Sequence, residues 1–95
     1  MLINYKGEDF KELTKEKTLV DFYATCCGPC NMLAPVVEKI SNTIKVVKID
    51  TDKYEDLSRE YGIMSIPCLI LFENGKEVKR NIGFIDEDKL KEFIE

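Results

Sequence analysis

Val20-Asp21-Phe22-Tyr23-Ala24-Thr25-Cys26-Cys27-Gly28-Pro29-Cys30 is the stretch on which the reading of this chain turns. An apolar, strand-like run ends, a tight turn follows, and a Cys-x-x-Cys pair opens a helix. Cys27 falls at or just before the first helical residue. There the free backbone N–H groups and the positive end of the helix dipole favour a thiolate. A thiol whose pKa is lowered in this way is a nucleophile near neutral pH. Cys30, three residues on, returns beside Cys27 after about one helical turn, within reach of a disulfide. Pro29 lacks only an N–H that the first turn leaves unpaired anyway, and its fixed φ suits a helix start. Gly28 carries no side chain, so another polypeptide can approach the Cys27 sulfur. These residue types at this spacing describe a reversible dithiol/disulfide switch.

Working outward, the chain of 95 residues has length for one core, and one domain spanning 1–95 is expected. With 44% hydrophobic and 34% charged residues it has the composition of an ordinary soluble globular protein. A net charge of −4 with no basic stripe argues against nucleic acid as the main partner. The segment Met1–Asp9 has no basic region followed by an apolar core, so it does not read as a signal peptide. The apolar stretch Ile63–Phe72 is too short to span a bilayer and contains Ser65 and Pro67, so no membrane association is expected. The cytoplasm is the default compartment, and in that reducing setting a disulfide is catalytic rather than structural. Three of the four cysteines crowd into Cys26–Cys30, where they cannot brace distant parts of a fold.

The rest of the chain alternates strands and helices. Leu2–Tyr5 reads as a short strand, Gly7–Lys17 as a short amphipathic helix, and Thr18–Ala24 as a strand buried on both faces. Met32, Leu33, Val36, Val37 and Ile40 recur at helical spacing from Cys30 to about Asn42, with Pro35 expected to kink that helix. Ile44–Asp50 reads as a strand, Glu55–Tyr61 as a helix stopped by Gly62, and Ile66–Phe72 as a second buried strand. Asn74-Gly75 signals a hairpin with return strand Glu77–Ile82, and Asp86 caps a last helix bearing Leu90, Phe93 and Ile94. This order implies an α/β fold, a central mixed sheet flanked by helices on both faces.

The sequence resembles the thioredoxin family almost end to end. The resemblance is carried by Val20-Asp21-Phe22-Tyr23-Ala24, Cys27-Gly28-Pro29-Cys30, Met32 with Ala34-Pro35, and Lys48 with Asp50 and Asp52. It continues through Tyr61-Gly62-Ile63, Ser65-Ile66-Pro67, Leu69–Phe72, Asn74-Gly75 and Gly83. It implies the thioredoxin fold and a protein-disulfide reductase needing no cofactor beyond its own cysteine pair. By that likeness Cys27 attacks a client disulfide and Cys30 resolves the mixed disulfide. An NADPH- or ferredoxin-linked thioredoxin reductase then restores the dithiol. Clients of the kind implied are ribonucleotide reductase, peroxiredoxins and methionine sulfoxide reductases, and a monomer is expected. The likeness also implies a cis Ile66-Pro67 peptide beside the cysteines, offering the Ile66 backbone to an extended client chain.

Other residues carry more than one reading. Asp21, amid Leu19, Val20, Phe22 and Tyr23, reads as buried rather than solvated on an edge strand. Burial would raise its pKa and let it exchange a proton with the Cys30 thiol, through water if need be. Lys48, in the neighbouring strand by resemblance, either offsets that carboxylate or is an ordinary surface lysine. Gly83 allows a close backbone approach beside the site or marks a bulge. Pro35 bends its helix or is simply tolerated there. The sequence departs from the family at Cys26, where Trp is usual, at Cys68, where Thr is usual, and in a shorter N-terminal region. Cys26 is expected to stay a free thiol, because bonding to the adjacent Cys27 would force a strained ring. Cys68 is expected to be buried and slow to react. The competing reading is a zinc or iron–sulfur protein that uses Cys26, Cys27, Cys30 and Cys68 as ligands. It is disfavoured because tetrathiolate sites usually take two Cys-x-x-Cys pairs.

Overall fold

A strand with no polar alternation needs cover on both sides, and Thr18–Phe22 are all buried. The computed structural model describes all 95 residues, Met1–Glu95. Its elements run β1 (Leu2–Asn4), α1 (Phe10–Leu13), β2 (Thr18–Tyr23), α2 (Gly28–Ile40), β3 (Lys45–Asp50), α3 (Glu55–Glu60), β4 (Cys68–Glu73), β5 (Lys76–Ile82) and α4 (Glu87–Phe93). The five strands form one mixed sheet in the order β1-β3-β2-β4-β5. β1 and β2 lie parallel to β3, whereas β4 is antiparallel to both β2 and β5.

Side-chain alternation along β2 divides the core in two. Leu19 joins Leu33, Val37 and Ile40 of α2 and Leu90 of α4, together with Val46, Leu69 and Leu71. Val20 and Phe22 point the other way, toward Phe10 of α1, Val47, Ile49, Cys68, Ile70 and Phe72, with Leu57 of α3 packed against them. Leu69–Phe72 are therefore all core, two on each face. No helix is long and apolar enough to cross a membrane.

Most expected elements are present, with three corrections. The helix expected over Gly7–Lys17 is reduced to Phe10–Leu13. Gly7 takes φ +91°, Asp9 caps the helix by accepting from Glu12 N–H at 3.3 Å, and Thr14 already lies outside it. Beyond Thr14 the backbone carbonyls serve a different partner. Those of Thr14 and Lys15 accept from Gly75 N–H at 2.9 Å and Asn74 N–H at 2.8 Å, tying this loop to the β4–β5 turn. The strand expected from Ile66 begins instead at Cys68, because Pro67 has no N–H to give a ladder. α2 runs without interruption through Pro35, which sits on its exposed side.

Leu33 is wholly buried where α2 meets the sheet. Leu33→Ala is expected to lower stability by about 2–5 kcal/mol in urea unfolding. Val78→Ser, on the exposed edge strand, should stay within about 0.5 kcal/mol.

Candidate active site

β2 ends at Tyr23, and only four residues separate it from α2, so both cysteines sit at the C-terminal end of the central strand. Cys27 is the N-cap of α2, with extended φ −104° and ψ 112°, and its sulfur accepts from Cys30 N–H at 3.2 Å. Gly28 and Pro29 supply the first two helical positions, where no intrahelical donor is required. Cys27 and Cys30 are joined by a disulfide, with their Cα atoms 5.2 Å apart. The two sulfurs are unequal. Cys27 is half-buried behind exposed Gly28 and Pro29, whereas Cys30 is 5% exposed. Cys30 shares the inner side of α2 with Leu33 and Val37, as spacings of three and seven residues dictate.

The loop before β4 closes over this pair. Ile66-Pro67 is a cis peptide, as the resemblance implied, with Pro67 buried and Ile66 half-buried. The Ile66 carbonyl oxygen lies 3.9 Å from the Cys27 sulfur. Gly83 N–H donates to the Pro67 carbonyl at 2.8 Å, fixing the end of β5 against the same loop. Gly83 has φ +94°, a conformation that L side chains rarely adopt, and nothing lies within 4 Å of where a Cβ would project. Its role here is thus conformational, not the relief of a close contact.

Asp21 is 2% exposed, and one of its carboxylate oxygens, Oδ1, has no hydrogen-bond partner. Its neighbours in register are Lys48 on β3 and Leu69 on β4. It shares the Leu69 side of the sheet, the face covered by α2, so it lies on the face toward which Cys30 is turned. Burial pushes its pKa from 3.8 up to about 6, against the opposing field of Lys48. Lys48 is half-buried and makes no ion pair with Asp21; its ammonium lies over the Tyr23 ring, 4.7 Å from the centroid. A buried carboxyl with that pKa can hold or release a proton near neutral pH.

The remaining cysteines separate sharply. Cys26 is free and exposed beside Cys27, whereas Cys68 is free and 1% exposed. Cys68 belongs to the core on the side of the sheet away from α2, and burial pushes its thiol pKa up. The ligand set Cys26, Cys27, Cys30 and Cys68 therefore does not converge, which removes the geometric basis of the zinc or iron–sulfur reading. Nowhere do three or more His, Cys, Asp or Glu side chains gather as metal ligands.

Two residues at this end escaped the sequence analysis. Met64, 94% exposed, precedes the cis-proline loop, and Phe84, 47% exposed, follows Gly83. A large apolar residue in a turn, outside any periodic run, was the available signal.

The family model for thioredoxin matches residues 2–95. A thioredoxin of Mycoplasmoides gallisepticum is 44% identical over 84 residues, covering 85% of this chain and 84% of that protein. A bifunctional thioredoxin reductase/thioredoxin of Mycobacterium leprae is 46% identical over 74 residues, 74% of this chain and 16% of that much longer protein. The solved structure of a single-site mutant thioredoxin from Halobacterium salinarum superposes with a TM-score of 0.91 at 39% identity. That match covers 98% of this chain and 87% of the other.

The Asp21 carboxyl yields a test of its burial. A folded-state pKa above the unfolded value means the native state binds the proton more tightly. Stability is then greatest below pH 3.8 as far as this group is concerned, and falls as pH rises through about 6. Asp21→Asn removes that dependence. Relative to the parent, it should gain up to about 3 kcal/mol between pH 4 and pH 8, read by urea unfolding of the oxidised forms. A difference that does not vary with pH would place the carboxylate in water.

Proposed function

The chain belongs to the thioredoxin family and is a thiol–disulfide oxidoreductase, and on that premise we propose that it reduces client protein disulfides with Cys27 as nucleophile and Cys30 as resolving thiol. The observation that carries this assignment is the unequal burial of the two sulfurs: Cys27 is reachable from solvent, while Cys30 is turned inward. The Cys27 thiolate attacks one sulfur of the client disulfide. That bond breaks as the Cys27–client bond forms, and the first client thiolate leaves and takes up a proton. Cys30 then attacks the Cys27 sulfur, forming the intramolecular disulfide and releasing the second client thiolate. Two electrons and two protons pass to the client in all.

Asp21 accepts the Cys30 proton, directly or through a water, because a base with a pKa of about 6 is matched to this transfer at neutral pH. Lys48 tunes that carboxyl from the adjacent strand. Gly28 and Pro29 leave the Cys27 sulfur open, and Pro35 is accommodated on the exposed side of α2. The Ile66 carbonyl, held beside Cys27 by Pro67 and Gly83, pairs with an extended client backbone. Met64 and Phe84 extend that surface with apolar area, and Cys26 leaves it smaller and flatter than a Trp would.

A thioredoxin reductase, NADPH- or ferredoxin-linked, regenerates the dithiol. The Mycobacterium leprae relative, whose name joins reductase and thioredoxin in one chain, supports such a partnership. Ribonucleotide reductase, peroxiredoxins and methionine sulfoxide reductases are the client classes the family suggests. The cytoplasm, where the disulfide is continually reduced, is the compartment in which this cycle runs.

The order of attack is tested by trapping. Cys30→Ser, mixed with a disulfide-bonded client, should accumulate a mixed disulfide through Cys27, and Cys27→Ser should lose turnover altogether. Cys26→Ser should keep most of the reductase rate. Peptide mapping that finds the client on Cys26 or Cys68 would overturn the assignment.

A further inference from the structure

At the same end of the sheet as the disulfide, but on its β1–β3 side, lies a cavity of about 150 Å³. Lysines 6, 48 and 53 and tyrosines 5, 23 and 54 line it, brought together by the C-terminal ends of β1, β2 and β3 and the loops that follow. In open α/β sheets the crevice outside the carboxyl ends of parallel strands is where ligands collect. Acidic residues outnumber basic ones 18 to 14 in this chain, yet none of its ion pairs uses Lys6, Lys48 or Lys53.

Asp50, the one carboxylate in the lining, accepts from Asp52 N–H at 2.9 Å, and Glu8 accepts from Lys6 N–H at 2.6 Å. Tyr5 spends its hydroxyl on the Glu8 carbonyl at 2.6 Å. Three lysines, Lys6, Lys48 and Lys53, stand in the lining against the single carboxylate of Asp50. With Asn4 as the remaining polar member, the lining carries three cationic side chains and one anionic one, a surplus of positive charge that suits a ligand bearing several acceptor oxygens and negative charge.

We propose that this cavity binds a phosphate group, either as the free anion or as the terminal group of a small phosphate monoester. Lys6 and Lys53 are exposed and mobile-stemmed while Lys48 is held over Tyr23, so affinity should be modest, in the millimolar range. A monoester would place its phosphate against the lysines and its remaining bulk over the tyrosine rings at the rim.

Backbone amide NMR shifts of the oxidised, full-length chain test the site. Inorganic phosphate, AMP and adenosine are titrated separately, with sodium chloride matched for ionic strength. Phosphate and AMP should shift the amides of Lys6, Lys48, Lys53 and Tyr54 saturably, whereas adenosine and chloride should not. Equal affinity for phosphate and AMP identifies the free anion as sufficient; tighter binding of AMP identifies a monoester. The double substitution Lys6→Gln/Lys53→Gln should weaken binding by about fivefold or more with reductase activity unchanged. Lys17→Gln/Lys76→Gln, which removes the same charge at the opposite end of the sheet, should leave the affinity as it was. Shifts that grow linearly without saturating, or saturable shifts that survive Lys6→Gln/Lys53→Gln, would overturn the proposal.

Discussion

The structure depends on the burial of β2 on both faces. A strand paired on both sides and covered above and below has no solvent-facing positions, so its residues can be apolar without alternation. That demand fixes the layers: α2 and α4 cover the face that holds Leu19, and α1 and α3 cover the face that holds Val20 and Phe22. It also fixes the position of the chemistry. α2 must turn back over β2 at once, so the short Ala24–Cys27 connection and the helix N-terminus stand at the end of the central strand. A redox pair mounted there is positioned by the core itself.

The same packing makes the two sulfurs unequal. Helical spacing carries Cys30 to the side of α2 that bears Leu33 and Val37, while Cys27, as N-cap, lies outside the first turn with its sulfur near free N–H groups. The Cys27 sulfur therefore stands at the N-terminal end of α2, within reach of solvent, while the Cys30 sulfur is sheltered by the core. One helix start thus sets one sulfur outward and the other inward.

Much of this was legible in the sequence because β2, α2 and β4 carry strong patterns. The unalternating runs around Val20 and Ile70, the spacing of Leu33, Val37 and Ile40, and Asn74-Gly75 each have one cheap structural solution. The Gly7–Lys17 segment misled, because charges around Phe10 and Leu13 suit a surface helix and a capped turn equally. What decided it was a distant event, the β4–β5 turn claiming the Thr14 and Lys15 carbonyls. The pairing of Lys48 with Asp21 was only half legible. The resemblance put the two on neighbouring strands, but nothing local could say that Lys48 would lean over Tyr23. Met64, Phe84 and the lysine–tyrosine cavity were missed for a similar reason: each is assembled from loops, where no periodicity marks a residue as exposed or as part of a lining.

Lys48 shows why a carboxylate can stay buried here without being fixed as an anion. In register with Asp21, it could have closed an ion pair, and a closed pair would hold the carboxyl well below neutrality. A base that weak would take a thiol proton poorly. The Tyr23 ring instead draws the ammonium toward itself, leaving Lys48 near enough to temper the burial of Asp21 but not to cancel it. Burial leaves Oδ1 without a partner and raises the carboxyl pKa to about 6, with Lys48 opposing the rise. The buried carboxylate costs stability as the pH rises, and Lys48 offsets only part of that cost.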